Sequence, residues 1–431
     1  MTRITRRAAL AAGAAALGAP PFARAQSRGV ELGVELGVQY SIPVLFRDLM
    51  EQVADEFMRA NPDIRIACRA AEEGYEEIVQ RNLRDAITRS LPDVAFHGLN
   101  RQRTLHERGI PVDLRPFMTE DGETPAPGYS PSLQSLGQVG QAQTGIGFAL
   151  STPTLYYNVE LMRRAGGEPA NPPRSWEQVN ELARAIHGSS EGVQGFFFDW
   201  TITGNWAWQA LVFSHGGTML NPEETRVAFG DEPGRRAIRA LRSFVEASRM
   251  PDIRPATMFS DFFAGRMGIS MQSTAQLGRY DREIGGRFPL LTGRFPIPGP
   301  NPRLPAGGNV AMMFARDRQR QEAAWKFIKF ATGPVGATMM VNATGYMPAT
   351  TVPAEREDML ARFYRENPNH LTTFRQQDVI TGWYAFPGQN ALRITDVIND
   401  HLQSVVSRRA EAEPTLDRMA ADVQALLPRR G

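Results

Sequence analysis

Cysteine is nearly absent from this chain: Cys68 stands alone among 431 residues, so an intramolecular disulfide is excluded. Cys68 alternates with Ile64 and Ile66, which predicts a small buried hydrophobe. Lysine is almost as scarce, with only Lys326 and Lys329, so almost all the basic residues are arginines. Neither sign of charge dominates. Against 46 acidic residues stand 48 basic ones, a net charge of +2, and the two signs are interspersed as on a solvated surface, so no nucleic-acid partner is expected. The six histidines show no ligand spacing with Cys or Glu, so no metal is expected. A phosphate loop, a dinucleotide fingerprint and a Gly-x-Ser-x-Gly elbow are all missing. No apolar run is long enough to span a bilayer comfortably. Cofactors, metals and catalytic residues are therefore expected to be none.

What is present is ordinary globular material: 42% hydrophobic and 22% charged residues, in a length that suggests two domains or one large one. Residues 1–26 read as an export signal. Arg6-Arg7 precedes an Ala/Gly/Leu run and the small-x-small site Ala23-Arg24-Ala25, the pattern of a twin-arginine leader, with an ordinary Sec leader as the alternative; either implies export to the periplasm. After it, Val30, Leu32, Val34, Leu36, Val38 and Tyr40 alternate as a strand. Leu45, Leu49, Val53 and Phe57 then share a helical stripe that Asn61-Pro62-Asp63 ends. Strand Ile64–Cys68, a second stripe (Tyr75, Val79, Leu83, Ile87) and strand 92–96 follow. This alternation predicts parallel sheets covered by helices, with ligands bound beyond the strand ends, where Tyr40 and the Glu73–Tyr75 turn lie.

Further on, Gly147 to Asn158 reads as a strand passing from one domain into another. Ser175 and Gln178 form a capping box. Trp206 and Trp208 lie two apart on a helix, so only one can face a cleft; Trp206 is the expected one. Ser273 and Thr274 end a strand, where they can meet a ligand or cap the next helix. Tyr346 sits in the turn Thr344-Gly-Tyr-Met-Pro348, which favours exposure. Glu72, Glu73 and Glu76 could grip hydroxyls or serve as a hydrolytic carboxylate; Asp199 is the candidate partner carboxylate for the latter.

Taken in order, Asn61-Pro62-Asp63, Thr152-Pro-Thr-Leu-Tyr-Tyr-Asn158, Phe263-Ala-Gly-Arg-Met-Gly268, Gly307-Gly308, Ala323-Ala-Trp-Lys-Phe-Ile-Lys-Phe330 and Thr344–Pro348 resemble family 1 extracellular solute-binding proteins, the receptors of carbohydrate ABC transporters. The subgroup most resembled takes glycerol 3-phosphate and glycerophosphodiesters. The resemblance implies an α/β, two-lobed periplasmic-binding-protein fold, each lobe a mainly parallel sheet covered by helices, joined by three crossings near 149–153, 303–308 and 344–348. It implies an N-terminal lobe of 28–149 plus 307–344 and a C-terminal lobe of 150–306 plus 345–431. It implies ligand contacts at Tyr40, Ser41, Tyr75, Glu76, Ser151, Trp206, Ser273, Thr274, Gly307, Gly308 and Tyr346. Its partners are a small ligand (sugar, polyol or glycerol phosphate derivative) and permease subunits; the chain is expected to be monomeric and not an enzyme. The alternatives are a secreted carbohydrate-active enzyme and a sensory co-receptor. One departure stands out: the subgroup's phosphate-clamping arginine has no counterpart in Trp383–Asn390, which leaves a neutral sugar or polyol equally open.

Overall fold

The computed structural model describes residues 33–122, 128–129 and 131–428; the export signal read in residues 1–26 lies outside them. Strand β1 (Val34–Gln39) is followed by helix α1 (Pro43–Ala60), which opens with Pro43 and buries Phe46, Leu49, Met50, Val53, Ala54 and Phe57. Asn61 stops it as the sequence predicts: its backbone N–H and its Nδ2 both donate to the Phe57 carbonyl, at 2.9 and 3.0 Å. Strand β2 (Ile64–Cys68), helix α2 (Tyr75–Thr88) and strand β3 (Val94–Gly98) complete the opening alternation. Ile87, expected on the buried stripe of α2, is 84% exposed. The stripe drifts onto Ile78, Val79 and Asn82 because four-residue steps overrun a 3.6-residue turn. Cys68 also departs from expectation: it is exposed. It ends β2, which has a neighbour on one side only.

Two sheets organise the rest. The chain continues through the short hairpin β4 (Gln138–Val139) and β5 (Ala142–Gln143) into β6 (Ile146–Ser151), then β7 (Pro153–Asn158) and β8 (Gln194–Phe198). Next come β9 (Met267–Ser273), β10 (Leu290–Arg294), β11 (Leu304–Pro305), β12 (Gly307–Met313) and β13 (Ile380–Thr381). The first sheet has the order β2-β1-β3-β12-β6 and the second β10-β7-β9-β8. Both are mixed where mainly parallel sheets are expected. In the first, β12 runs antiparallel to β3 and β6; in the second, β7 runs antiparallel to β10 and β9. The alternation of strands and helices that predicts parallel pairing covers only the first three strands. Strands that arrive from the other sheet enter from the opposite end and pair antiparallel.

Each sheet carries its own core. The first gathers Leu36, Val38, Phe57, Phe96, Met312 and Phe327; the second gathers Leu155, Trp176, Phe196, Phe244, Ile269 and Leu402. Beyond Thr344 the chain stays with the first core for a stretch: Met347, Ala349, Leu360 and Tyr364 pack there, although the sequence reading gives everything from 345 onward to the other lobe. Backbone bonds between Met347 and Leu150, 2.9 and 2.7 Å, tie this stretch to β6.

The passage from β6 to β7 is one residue long. Thr152 sits between Ser151 of the first sheet and Pro153 of the second, and it is fully bonded. Its N–H donates to Thr274 Oγ1 at 3.2 Å, its carbonyl accepts from Thr274 N at 3.1 Å, and its Oγ1 accepts from Gln376 Nε2 at 2.7 Å. Thr373 Oγ1 donates to Thr274 Oγ1 at 2.9 Å. Buried hydroxyls and an amide thereby satisfy the polar groups of a backbone buried between two cores.

Candidate functional site

Where the two sheets face each other, a cavity of about 490 Å³ opens. Its size lies in the range that holds a small-molecule ligand. The first sheet and its helices contribute Ile42, Leu45, Glu73 to Glu77, Gly307, Gly308 and Tyr346; the second side contributes Ile202, Thr203, Trp206, Ser273, Ala275 and Gln276. Ser151 reaches it from the end of β6 and Trp383 from the stretch after β13.

Aromatic rings form its walls. The Trp206 indole N–H donates to the Pro305 carbonyl at 3.1 Å, which fixes the ring against β11. Trp383 lies 6.1 Å from Trp206, tilted by 50°, and 6.3 Å from Tyr75, edge-on at 79°. Tyr346 stacks on Phe46 at 5.6 Å. Asn309 Nδ2 donates to the Tyr75 hydroxyl at 3.3 Å. Burial pushes the Tyr75 phenol up to about 12 and raises that of Tyr346 as well, so both remain protonated hydroxyls at neutral pH.

Glycines let the walls approach. A Cβ on Gly307 would stand 2.6 Å from Ser151 Oγ and 3.0 Å from the Trp206 ring. At Gly308, φ is +104° and a Cβ would fall 1.8 Å from the Ala149 carbonyl oxygen, so no side chain fits. On the opposite edge, Ile42 caps α1 at φ 58°, ψ 63°, a left-handed conformation that a β-branched residue rarely adopts.

Charge in the wall is of one sign. Glu73, Glu76 and Glu77 line the cavity, and no lysine or arginine does so among the described residues. Behind Glu76 stands Arg101, whose side chain is only 2% exposed. Its Nη2 and Nε both donate to Glu76 Oε1, the latter at 3.1 Å. The buried guanidinium is thus committed to a carboxylate and is not part of the cavity lining.

Eight of the eleven expected positions line this cavity: Tyr75, Glu76, Ser151, Trp206, Ser273, Gly307, Gly308 and Tyr346. Three lie elsewhere. Tyr40 points with Leu36 and Val38 into the first core, because it keeps their parity in the strand. Ser41 is 2% exposed and bridges to Glu72 one residue short of the wall. Thr274 is consumed by the Thr152 crossing. Ser273 does both things anticipated for it, lining the cavity while its Oγ caps Ala275 N–H at 3.2 Å. Trp208 is a core residue against Phe229 at 6.2 Å. Trp383, Ile42 and Thr203 were not expected at the site, and none of them lies inside a strand or α-helix. For Trp383 the signal was the aromatic-rich stretch 383–386 itself.

The model of the bacterial extracellular solute-binding protein family matches residues 52–370. The chain belongs to this family. Among curated relatives, the sn-glycerol-3-phosphate-binding periplasmic protein UgpB of Agrobacterium fabrum is 23% identical over 284 residues, 62% of this chain and 63% of the relative. The protein of the same name from Escherichia coli K12 is 24% identical over 303 residues, covering 65% of this chain and 66% of the relative. The chain thus spans just under two thirds of the length of these relatives. Among solved structures, UgpB from Mycobacterium tuberculosis in complex with glycerophosphocholine superposes with a TM-score of 0.80 at 19% identity, over 91% of this chain and 98% of that one. The cyclic alpha-maltosyl-1,6-maltose binding protein from Arthrobacter globiformis gives 0.76 at 20% identity, over 91% and 98%.

The fold of this solute-binding protein is accordingly the two-lobed α/β fold of periplasmic binding proteins. Its family binds solutes and is not a family of enzymes. Asp199, the candidate second carboxylate of a hydrolase, is engaged away from the cavity. It accepts from Gln272 Nε2 at 2.7 Å and from the Thr201 hydroxyl at 2.6 Å, and burial raises its pKa. Among the described residues no helix is long and apolar enough to cross a membrane.

Proposed function

We propose that this protein is the periplasmic substrate-binding component of an ABC importer, and that it captures a neutral sugar or polyol between its lobes for delivery to permease subunits. One observation carries the ligand class: a cavity walled by Tyr75, Trp206, Tyr346 and Trp383 and edged by Glu73, Glu76 and Glu77, with no basic side chain in its lining among the described residues. A saccharide presents apolar C–H faces and a rim of hydroxyls. Aromatic rings meet the faces; carboxylates, Ser151 and Ser273 meet the hydroxyls. A phosphate dianion would face three carboxylates and find no guanidinium, forgoing its strongest bonds. The names of the relatives point to glycerol phosphates, so the two ligand classes make opposite predictions.

In this reading Tyr75, Glu76, Ser151, Trp206, Ser273, Gly307, Gly308 and Tyr346 contact the ligand, joined by Trp383. Tyr40, Ser41 and Thr274 support the walls from behind. The lobes take 33–151 with 307–364 and 153–303 with 386–428, and the ligand favours the closed arrangement by binding it more tightly than the open one. A thermal-shift screen tests it, with neutral mono- and oligosaccharides, polyols, glycerol 3-phosphate and glycerophosphodiesters. A neutral compound is expected to raise the melting temperature by mass action. Stabilisation by phosphorylated compounds alone would sink the neutral-ligand assignment.

A further inference from the structure

We propose that Arg103, Glu224 and Tyr384 form a latch that holds the two lobes shut; the inference rests on the two-lobe capture reading above. Arg103 lies in the short helix Gln102–His106, anchored in the first core by Leu105. Glu224 lies in the turn between Leu220 and Val227, both of the second core. Arg103 Nη1 and Nη2 donate to Glu224 Oε1 and Oε2 at 2.5 and 2.7 Å, a bidentate pair across the two halves. Glu107 holds the same guanidinium at Nε, 2.7 Å away, so the fork is aimed before closure. From the other side the Tyr384 hydroxyl donates to Glu224 Oε1 at 3.0 Å.

The backbone is arranged for this contact. Glu224 adopts φ 56°, left-handed without being glycine. Its turn is held by Asn221, whose Oδ1 accepts from Thr225 N and Arg226 N at 2.9 and 2.8 Å. Tyr384 is pinned by Gln209, which bonds both its N–H and its carbonyl at 3.0 Å. The pair is only 25% and 28% exposed, so it is sheltered more than an ordinary surface ion pair. Arg103, Glu224 and Tyr384 line a separate groove and not the ligand cavity; Trp383 alone lines both. Consecutive residues of an extended segment point to opposite sides. Trp383 therefore faces the ligand space while Tyr384 faces Glu224, and a shift of this one segment acts on both.

Closure can be read without ligand. Spin labels on Cys68 and on a cysteine introduced by Ser190→Cys, both exposed and on opposite lobes, report the inter-lobe distance by pulsed electron resonance. Relative to the labelled parent, Arg103→Ala and Glu224→Gln should each raise the open-to-closed ratio about tenfold, equivalent to ~1.4 kcal/mol. Tyr384→Phe should raise it less, with native circular dichroism retained. Should Arg103→Ala fail to fold, the single-hydroxyl change Tyr384→Phe and the isosteric Glu224→Gln decide. Unchanged distance distributions in folded Glu224→Gln and Tyr384→Phe would overturn the latch. A shift in these variants alongside a parent that responds to none of the sugars, polyols or glycerol phosphates would keep the latch and reject the capture reading.

Discussion

Trp206 and Trp208 are two residues apart, both within 1% of full burial, and opposite in role. Trp206 meets the cavity with its N–H committed to Pro305, whereas Trp208 packs on Phe229 in the second core. Trp206→Ala should weaken ligand binding by about 1–3 kcal/mol in calorimetric titration, as loss of a central aromatic contact does. Trp208→Ala should instead lower unfolding free energy by about 3–5 kcal/mol. A second residue-scale test concerns His97. It is buried beside Asn82, whose Oδ1 meets its Nε2 at 2.8 Å, and burial pushes its pKa down to about 3 from 6.5. The folded state then binds fewer protons than the unfolded one between those values, so His97 subtracts stability as pH falls below 6.5 toward 3, by at most about 1.4 kcal/mol per pH unit. Chemical denaturation at pH 7 and pH 4.5 should show a smaller acid loss in His97→Gln than in the parent.

At the scale of elements, the sequence was legible where periodicity speaks and silent where it does not. Alternation located β1 and β2, and the Gly147–Asn158 run located the passage between sheets. The strand-end position misled at Tyr40: the alternation that identified β1 already implies that Tyr40 follows Leu36 and Val38 into the core. Trp383 was hidden because irregular backbone has no period from which to read a facing direction, and Thr203 because its single helical turn is too short to show one. The pairing of β12 was equally hidden, since antiparallel entry follows from where the chain returns and not from any local pattern. Yet the glycines of that strand carry a sharp consequence. At Gly308 a Cβ would collide with the backbone of β6 at 1.8 Å and the φ of +104° would be strained. Gly308→Ala should therefore destabilise the protein by more than ~2 kcal/mol in urea unfolding. Gly307→Ala meets a rotatable Ser151 hydroxyl and a ring edge, and should cost less stability while narrowing the cavity.

At the scale of the molecule, two separate cores share one cavity and passages as short as Thr152, so the proposed capture between lobes predicts that binding is felt on both sides. A ligand held by one lobe alone would slow amide exchange only there. A ligand held by both lobes, present at a hundred times its Kd, adds about 2.7 kcal/mol to the free energy of any opening that releases it. Exchange from β3 in the first sheet and from β9 in the second should then slow together, by up to about a hundredfold where exchange requires ligand release. Both strands end near the cavity: Gly98 sits against Tyr75, and Ser273 is part of the wall. Hydrogen exchange followed by mass spectrometry, with the neutral compound that gives the largest melting shift, makes the comparison. Protection confined to either strand would mean that the ligand rests on one lobe and that closure contributes nothing to its retention.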